Sequence, residues 1–428
     1  MKRAELSRAA RLLALGLTLA APDAGAAGFH INEQDARATG RGGAVLANPG
    51  SPAAIFFNPA GIAPLYGLQL NLGAALVVPS ADFEPAGGGA KTSADTTGHV
   101  LPHVYASARL TELVALGIGV NAPFGLALTW PSTSPGRAQV REAELRTLFV
   151  TPTVGFELSR WAPGLAFGVG LDLVPASVRL IRDVPFGDAV GSAALSGSAF
   201  GVGARAGVLY RPPRRSAWSF GITYKSPVSL QFEGEADFTA PAIYRPSLPP
   251  DGIGKTAITL PQSLMLGVSF RPIPQWEIEV DGGWVGWSSY DRLDITLPDG
   301  TISRNERKWR DTGVLRAGTE YTFLGRWTGR FGVIFDQTPI RTTHLDFLLP
   351  DASRFDLTAG FGATLSPEVQ VDIGALWVLP ASATTAGSDP LSPPNKGTFD
   401  VEAWVLDVSV AMRFGAAEPS PRLEPVPR

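Results

Sequence analysis

The stretch Trp404-Val405-Leu406-Asp407-Val408-Ser409-Val410-Ala411-Met412-Arg413-Phe414 decides the fold. Trp404, Leu406, Val408, Val410, Met412 and Phe414 alternate with Val405, Asp407, Ser409, Ala411 and Arg413. A period of two is a strand with one apolar face and one polar or small face. The same period runs through Leu165–Leu173, Trp276–Asp281, Trp327–Asp336 and Val369–Val378. These runs reach about ten residues, enough to cross a bilayer at a tilt of roughly 45°. A soluble strand is usually about five or six. A soluble sandwich would bury the apolar face, whereas a transmembrane barrel turns it toward lipid around a polar lumen.

The connections favour the barrel. Short turns are expected near Leu110–Thr111, Ser159–Pro163, Arg211–Arg215, Arg271–Pro274, Leu324–Arg326 and Ser366–Pro367. Longer loops are expected near Ser80–Thr97, Leu126–Ala143, Ile181–Ser196, Asp237–Lys255, Arg292–Lys308, Ile340–Ala352 and Pro380–Gly397. Short turns alternating with long loops mark outer-membrane barrels, and the count comes to about 14 antiparallel strands over residues 68–414. Trp161, Trp218, Trp276 and Trp327 lie beside short turns, and Trp287, Trp377 and Trp404 near long loops. That distribution predicts two interfacial girdles.

Composition agrees. The 428 residues carry 48 glycines, only 18% charged residues and no cysteine. Disulfide scaffolds, thiolate metal sites and a cysteine nucleophile are excluded. A net charge of −3 offers no basic surplus for nucleic acid. No run after the N-terminus has the roughly 18 apolar residues of a membrane-spanning helix. The N-terminus itself has basic Lys2, Arg3, Arg8 and Arg11, an apolar Leu12–Ala21 core, and small residues at Ala24-Gly25-Ala26. This is the order of a secretory signal peptide, residues 1–26. Export without cysteine suits the envelope of a Gram-negative bacterium.

Residues 27–67 do not alternate and are too apolar for a disordered tail. A 14-strand wall encloses more space than its own side chains fill, so this segment is expected to fold inside the lumen as a plug. Its Gly28-Phe29…Asn32-Glu33 and Phe57-Asn58-Pro59-Ala60-Gly61 segments resemble the N-terminal hatch of the FadL-type family of outer-membrane long-chain fatty acid transporters, which includes importers of aromatic hydrocarbons. Val120-Asn121-Ala122-Pro123-Phe124-Gly125-Leu126 resembles that family's third strand. Gly136-Arg137 with Glu144-Leu145-Arg146-Thr147 resembles its fourth, and Pro350-Asp351…Arg354-Phe355…Thr358-Ala359-Gly360 its twelfth. The resemblance implies capture of a hydrophobic ligand at the outer face and release sideways through the wall. Family barrels end on an aromatic residue; here Phe414 is followed by a Pro-rich tail, 415–428.

The residues themselves support specific expectations. Pro123 cannot donate a ladder hydrogen bond and Gly125 weakens pairing, so Asn121, Pro123, Phe124 and Gly125 should form a bulge or break that opens the wall at strand three. Proline elsewhere in the wall should likewise be confined to bulges or breaks. Asn58, Pro59 and Ala60 should hold a tight hatch turn. Phe29, Ile55, Phe56 and Phe57 either contact ligand or pack the plug against the wall. Phe414 should close the last strand and serve as the assembly signal for the barrel assembly machinery.

Other chemistry is weaker. His99 and His103 share a strand face without a third ligand, and read as a loop-edge pair rather than a metal site. Glu277, Glu279 and Asp281 read as luminal wall. Gly168, Gly170, Gly201 and Gly203 are expected to leave room for the plug rather than to bind a nucleotide. The expectation is a monomeric, non-enzymatic transporter without cofactor or metal. Its partners would be the outer-membrane bilayer, lipopolysaccharide and a hydrophobic small molecule, with no nucleic acid. Long-chain fatty acids come first as cargo and aromatic hydrocarbons second. A structural or adhesive barrel with a static plug, or a barrel hydrolase, would be the rivals.

Overall fold

The computed structural model describes residues 28–213, 217–386 and 396–415. The leader 1–26 and the tail beyond Gly415 lie outside the described residues. Fourteen antiparallel spans close into one barrel. The first six are β1 (Leu68–Pro85), β2 (His99–Arg109), β3 (Val114–Asn121 and Gly125–Thr129), β4 (Glu142–Thr147 and Phe149–Glu157), β5 (Leu165–Pro185) and β6 (Val190–Tyr210). Then come β7 (Trp218–Lys225 and Val228–Thr239), β8 (Gly252–Leu260 and Ser263–Ile273), β9 (Trp276–Val285 and Arg292–Thr296) and β10 (Ile302–Glu306 and Thr312–Phe323). The wall ends with β11 (Trp327–Asp336), β12 (Arg354–Ser366), β13 (Val369–Thr384) and β14 (Gly397–Phe414). Closure is made by β1 on β14, in register from Leu68 opposite Phe414 to Pro85 opposite Gly397.

The alternation falls as a membrane barrel requires. Trp404, Leu406 and Val408 are exposed, while Val405, Asp407, Ser409 and Ala411 are buried. On β11, Phe331 and Val333 face out, and Arg330, Ile334 and Asp336 face in. Apolar outside and polar inside reverses the order of a soluble domain, because the outer solvent is lipid.

Several expectations need correction. Trp161, Trp218 and Trp276 are exposed at the short-turn rim, and Trp377 stacks on Trp404 toward the other rim. Trp287, however, is 1% exposed and points into the lumen. It has the odd-numbered register of the inward face of β9, shared with Glu277, Glu279 and Asp281, and opens the helical turn Trp287–Ser289 that interrupts that span. The long loops at Ile181–Ser196 and Arg292–Lys308 are largely strand. The β5–β6 ladder continues to Pro185 opposite Val190, and Thr296 pairs with Ile302 across β9 and β10. Backbone pairing persists beyond the stretch whose hydropathy alternates clearly, and the inward side still carries apolar Val184, Ala193, Leu195 and Leu293. Pro79, Pro102, Pro152 and Pro175 lie within uninterrupted strand segments, so proline is not confined to breaks. Pro102 lies on the part of β2, His99–His103, that pairs with β1 alone.

Residues 28–67 pack within this wall. Asp35 caps the short helix α1 (Ala36–Thr39) by accepting from Ala38 N at 3.2 Å. A second short helix, α2 (Ala54–Phe57), leads to a 3₁₀ turn, Pro59–Ile62. Runs this short have no stability of their own; the wall holds them. Arg41 is wholly buried and reaches Glu277 at 3.0 Å and Glu279 at 3.3 Å. Asp281 accepts from Val45 N at 2.9 Å and Leu46 N at 3.1 Å, and Glu279 accepts from Ala47 N at 2.6 Å. The acidic face of β9 is therefore wall that also clamps the luminal segment. Of the four Gly-x-Gly glycines, Gly168 faces Pro59 and Ala60, where a Cβ would collide with backbone. Gly170 instead faces Arg205 and the threonines of β4, while Gly201 and Gly203 face Val228 of the adjacent strand.

Candidate functional site

The break expected in β3 is where the site is built. The lower ladder with β4 ends at Asn121 opposite Phe149, and the upper one resumes at Gly125 opposite Arg146. Pairing with β2 stops at Val104 opposite Val120. Ala122, Pro123 and Phe124 thus stand between two ladders. The luminal segment meets them there. Ile31 N donates to Pro123 O at 2.7 Å, Gly125 N donates to Phe29 O at 3.1 Å, and His30 lies opposite Phe124. Gln34 adds two bonds to Ala122, donating to its O and accepting from its N, both at 3.2 Å. Asn121 is 1% exposed.

Two apolar cavities flank this contact. The outer one, about 850 Å³ with its mouth, is lined by Phe29, Leu126, Leu145, Phe232, Tyr290 and Trp309 among others. The inner one lies against the break and is lined by His30, Phe56, Phe57, Pro123, Phe124 and Lys225 among others. Phe29 stands beside both, its ring edge-on to Trp287 at 4.9 Å and to Phe124 at 6.1 Å. Trp287 and Trp309 close the cage at 5.1 Å.

The inner cavity carries charge. Arg205 is paired with Asp172 at 2.6 Å and donates to Ile55 O at 3.0 Å. Lys225 Nζ lies 3.6 Å over the ring of Phe56, and Arg316 also lines the cavity. Among the described residues neither Lys225 nor Arg316 has a carboxylate within ion-pair distance. Burial, then Lys225 and Arg316, hold the His30 imidazole well below its usual range. Burial, with Asp356 adding to it, pushes Glu33 up to about 7.

The residues singled out in the sequence scatter between ligand-lining and structural positions. Phe29, Phe56 and Phe57 line cavities. Ile55 lines neither; it packs on Gly117 and Gly119 of β3. Asn58 donates to Leu46 O at 2.9 Å and Val208 O at 3.1 Å, and accepts from Ala60 N at 3.2 Å. Pro59 opens the 3₁₀ turn, where its missing N–H is not needed. Phe414 pairs with Leu68 at the barrel seam and is 47% exposed. His103 is no loop-edge residue. It is fully buried, with Nε2 3.0 Å from Asp407, which also accepts from Thr39 of α1 at 2.9 Å. A luminal charge on β14 holds it there, four residues below His99. Gln34, Lys225, Arg316 and the Trp287 cage had no sequence motif. The nearest signals were Pro227 and Pro261, which break β7 and β8 beside the inner cavity.

A closed barrel, a luminal segment anchored at a strand break, and apolar cavities on either side define a class: outer-membrane transporters of hydrophobic compounds. Residues 17–414 match the family described as outer membrane protein transport protein (OMPP1/FadL/TodX), and the chain belongs to that family. It is an outer-membrane protein, and the members it resembles are transporters and channels. It is 25% identical over 402 residues to the long-chain fatty acid transport protein of Salmonella typhi, covering 86% of this chain and 90% of that one. Its fold is shared with a FadL homologue of Pseudomonas aeruginosa, at a TM-score of 0.80 and 19% identity, over 91% of this chain and 100% of the other. The toluene transporter TbuX of Ralstonia pickettii follows at 0.69 and 18%, over 89% and 98%.

Proposed function

We propose that this protein takes up long-chain fatty acids passively, from the outer cavity to the inner one and then sideways through the break in β3. The observation that carries this reading is the inner cavity: apolar walls with Lys225 and Arg316 lacking carboxylate partners. Arg316 is buried and Lys225 half-buried, and the carboxylates lining the same cavity, Asp172 and Asp336, lie beyond ion-pair distance of both; cations held this way in an apolar site favour an added anion. An anionic head group on an apolar tail satisfies both halves of such a cavity. The tail contributes about 0.8 kcal/mol per buried CH₂, less the costs of association. The relatives named for fatty acid transport support the same cargo.

Uptake of aromatic hydrocarbons is the second reading, favoured by the Phe29–Trp287–Tyr290–Trp309 cage beside the outer cavity. In proteoliposomes, the first reading expects oleate to enter faster than toluene relative to empty liposomes. The reverse order would support the second. No uptake of either would favour a structural barrel with a static plug. The same reading holds the protein to be a monomer, inserted by the barrel assembly machinery beneath lipopolysaccharide.

A further inference from the structure

The peptide groups at the β3 break lack strand partners, yet they are not left bare. Most of them are taken up from the luminal side, while Phe124 O accepts from Thr147 Oγ1 of the wall at 2.6 Å. Main chain replaces two rungs, Ile31 N to Pro123 O and Gly125 N to Phe29 O. The third is a side chain. Gln34 Oε1 accepts from Ala122 N, and Gln34 Nε2 donates to Ala122 O, both at 3.2 Å. A primary amide presents the same donor and acceptor as a peptide group, so this reciprocal pair reproduces one rung of an antiparallel ladder.

The second hydrogen of Nε2 goes to Ile31 O at 3.2 Å, the residue whose own N–H makes the rung above. Gln34 is 0% exposed and uses both its hydrogens and its oxygen here. Next to it, Asp35 accepts from Asn71 of β1 at 2.9 Å and caps α1. The amide is therefore held from one side by the wall and acts on the other side at the break.

We propose that Gln34 is the positioning residue that keeps the wall closed at Ala122, and that parting this amide pair is the step that frees the break for cargo. The inference rests on the reading that cargo leaves through β3. Leaving this way requires the luminal segment to separate from residues 122–125. Bonds made only in the closed state raise the barrier to opening, so their loss speeds release rather than weakening capture.

The test uses the full-length barrel in proteoliposomes with oleate. Gln34→Met keeps the length and removes both partners of Ala122. Maximal uptake should rise at least about fivefold, the lower end expected for the loss of two or three neutral hydrogen bonds, with half-saturation unchanged. Gln34→Glu gives a finer readout. A protonated carboxyl can both donate and accept, and an ionised one only accepts. Uptake by this variant should lie nearest wild type at low pH, where only one of the two donated bonds is lost, and rise with pH more steeply than wild type does. If Gln34→Met fails to fold, judged by heat-modifiable migration, Gln34→Glu alone decides. Wild-type rates in a folded Gln34→Met, or parallel pH profiles for Gln34→Glu and wild type, overturn the role of Gln34.

A separate arm tests the exit itself. His30 and Phe124 face each other between the flanking hydrogen bonds, the closer kind of antiparallel pair. The chain has no cysteine of its own. Oxidised His30→Cys/Phe124→Cys should block uptake and reduction should restore it. Undiminished uptake in the oxidised form overturns exit at β3, and the Gln34 inference with it. A block here with no effect of Gln34→Met overturns Gln34 alone.

Discussion

Asn58 and Gly207 occupy adjoining volumes at the base of the luminal segment: a Cβ on Gly207 would overlap the Asn58 side-chain amide. Neighbouring Val208 accepts a hydrogen bond from Asn58 at 3.1 Å. The wall strand is thus cut to the shape of the hatch turn. Gly207→Ala should displace that turn at a penalty of about 1–3 kcal/mol, the usual range for overpacking. Asn58→Ala and Pro59→Ala should lower uptake while heat-modifiable, folded barrel persists, because neither residue pairs in the wall. Normal uptake in all three would reduce the motif to passive packing.

Arg41 sets up a second prediction. It is buried against Glu277, Glu279 and Glu320. Arg41→Met leaves buried Glu279 without a cation, while Glu277 keeps Arg271 and Glu320 keeps Arg37 and Arg330; breaking a buried pair costs about 3–5 kcal/mol. The luminal segment should then become accessible to protease in the folded barrel. Protection equal to wild type would show that the hydrogen bonds from Val45, Leu46 and Ala47 suffice without the arginine.

Lys225 and Arg316 separate the two cargo readings. Lys225→Met or Arg316→Met should reduce oleate uptake by about ten- to a hundredfold, in line with about 1.5–3 kcal/mol for a hydrogen bond to a charged group. Toluene uptake should be unchanged or increased. Equal losses for both compounds would mean that the cations support the cavity rather than read a head group.

Asp351 gives a pH dependence. It lies in the loop between β11 and β12, where it accepts from Gly28 N at 3.3 Å and Thr338 Oγ1 at 2.8 Å. Burial pushes its carboxyl up to about 7. The folded state therefore holds the proton more tightly than the free chain, whose ordinary value is near 3.9. Docking of this loop should be strongest at low pH, weaken as pH rises from about 4 to about 7, and stay constant above that. Glu33 shifts the same way. Limited proteolysis within residues 337–353 should accelerate severalfold from pH 5 to pH 8, after correction for protease activity. Asp351→Asn should flatten that dependence.

Phe414 closes the seam with Leu68, and Gly415 is the last described residue. Deleting 415–428 should leave folded, heat-modifiable barrel in the membrane. Phe414→Ala should impair assembly more than that deletion does. The opposite ranking would move the assembly signal into the tail.

Much of the architecture was legible because lipid imposes a rule that each strand obeys locally. Alternation at Trp404–Phe414 and Trp327–Asp336 needs no knowledge of any partner strand. Pro123 marks the break only together with the family resemblance around it, since Pro79, Pro102, Pro152 and Pro175 sit in uninterrupted strand. The ribbons of β5–β6 and β9–β10 were hidden because their Gly, Ser, Pro and charged residues read as loop, although pairing continues and Val184, Ala193, Leu195 and Leu293 pack inward. Trp287 was misplaced because proximity to a loop does not report which side a ring takes; its odd-numbered place after β9, in step with Glu277, Glu279 and Asp281, puts it inward.

By itself, then, the sequence determined a 14-strand outer-membrane wall, a polar lumen and a weak point in the third span. Each is written in period, polarity or proline, properties of one chain segment at a time. The tertiary structure alone decided what fills the weak point and what the cavities present. Gln34 meets Ala122 across 88 residues of chain, and Lys225 and Arg316 converge from β7 and β10. Such contacts depend on barrel closure and hatch placement, so no local pattern encodes them. The hatch takes its shape from charges and glycines contributed by many separate strands.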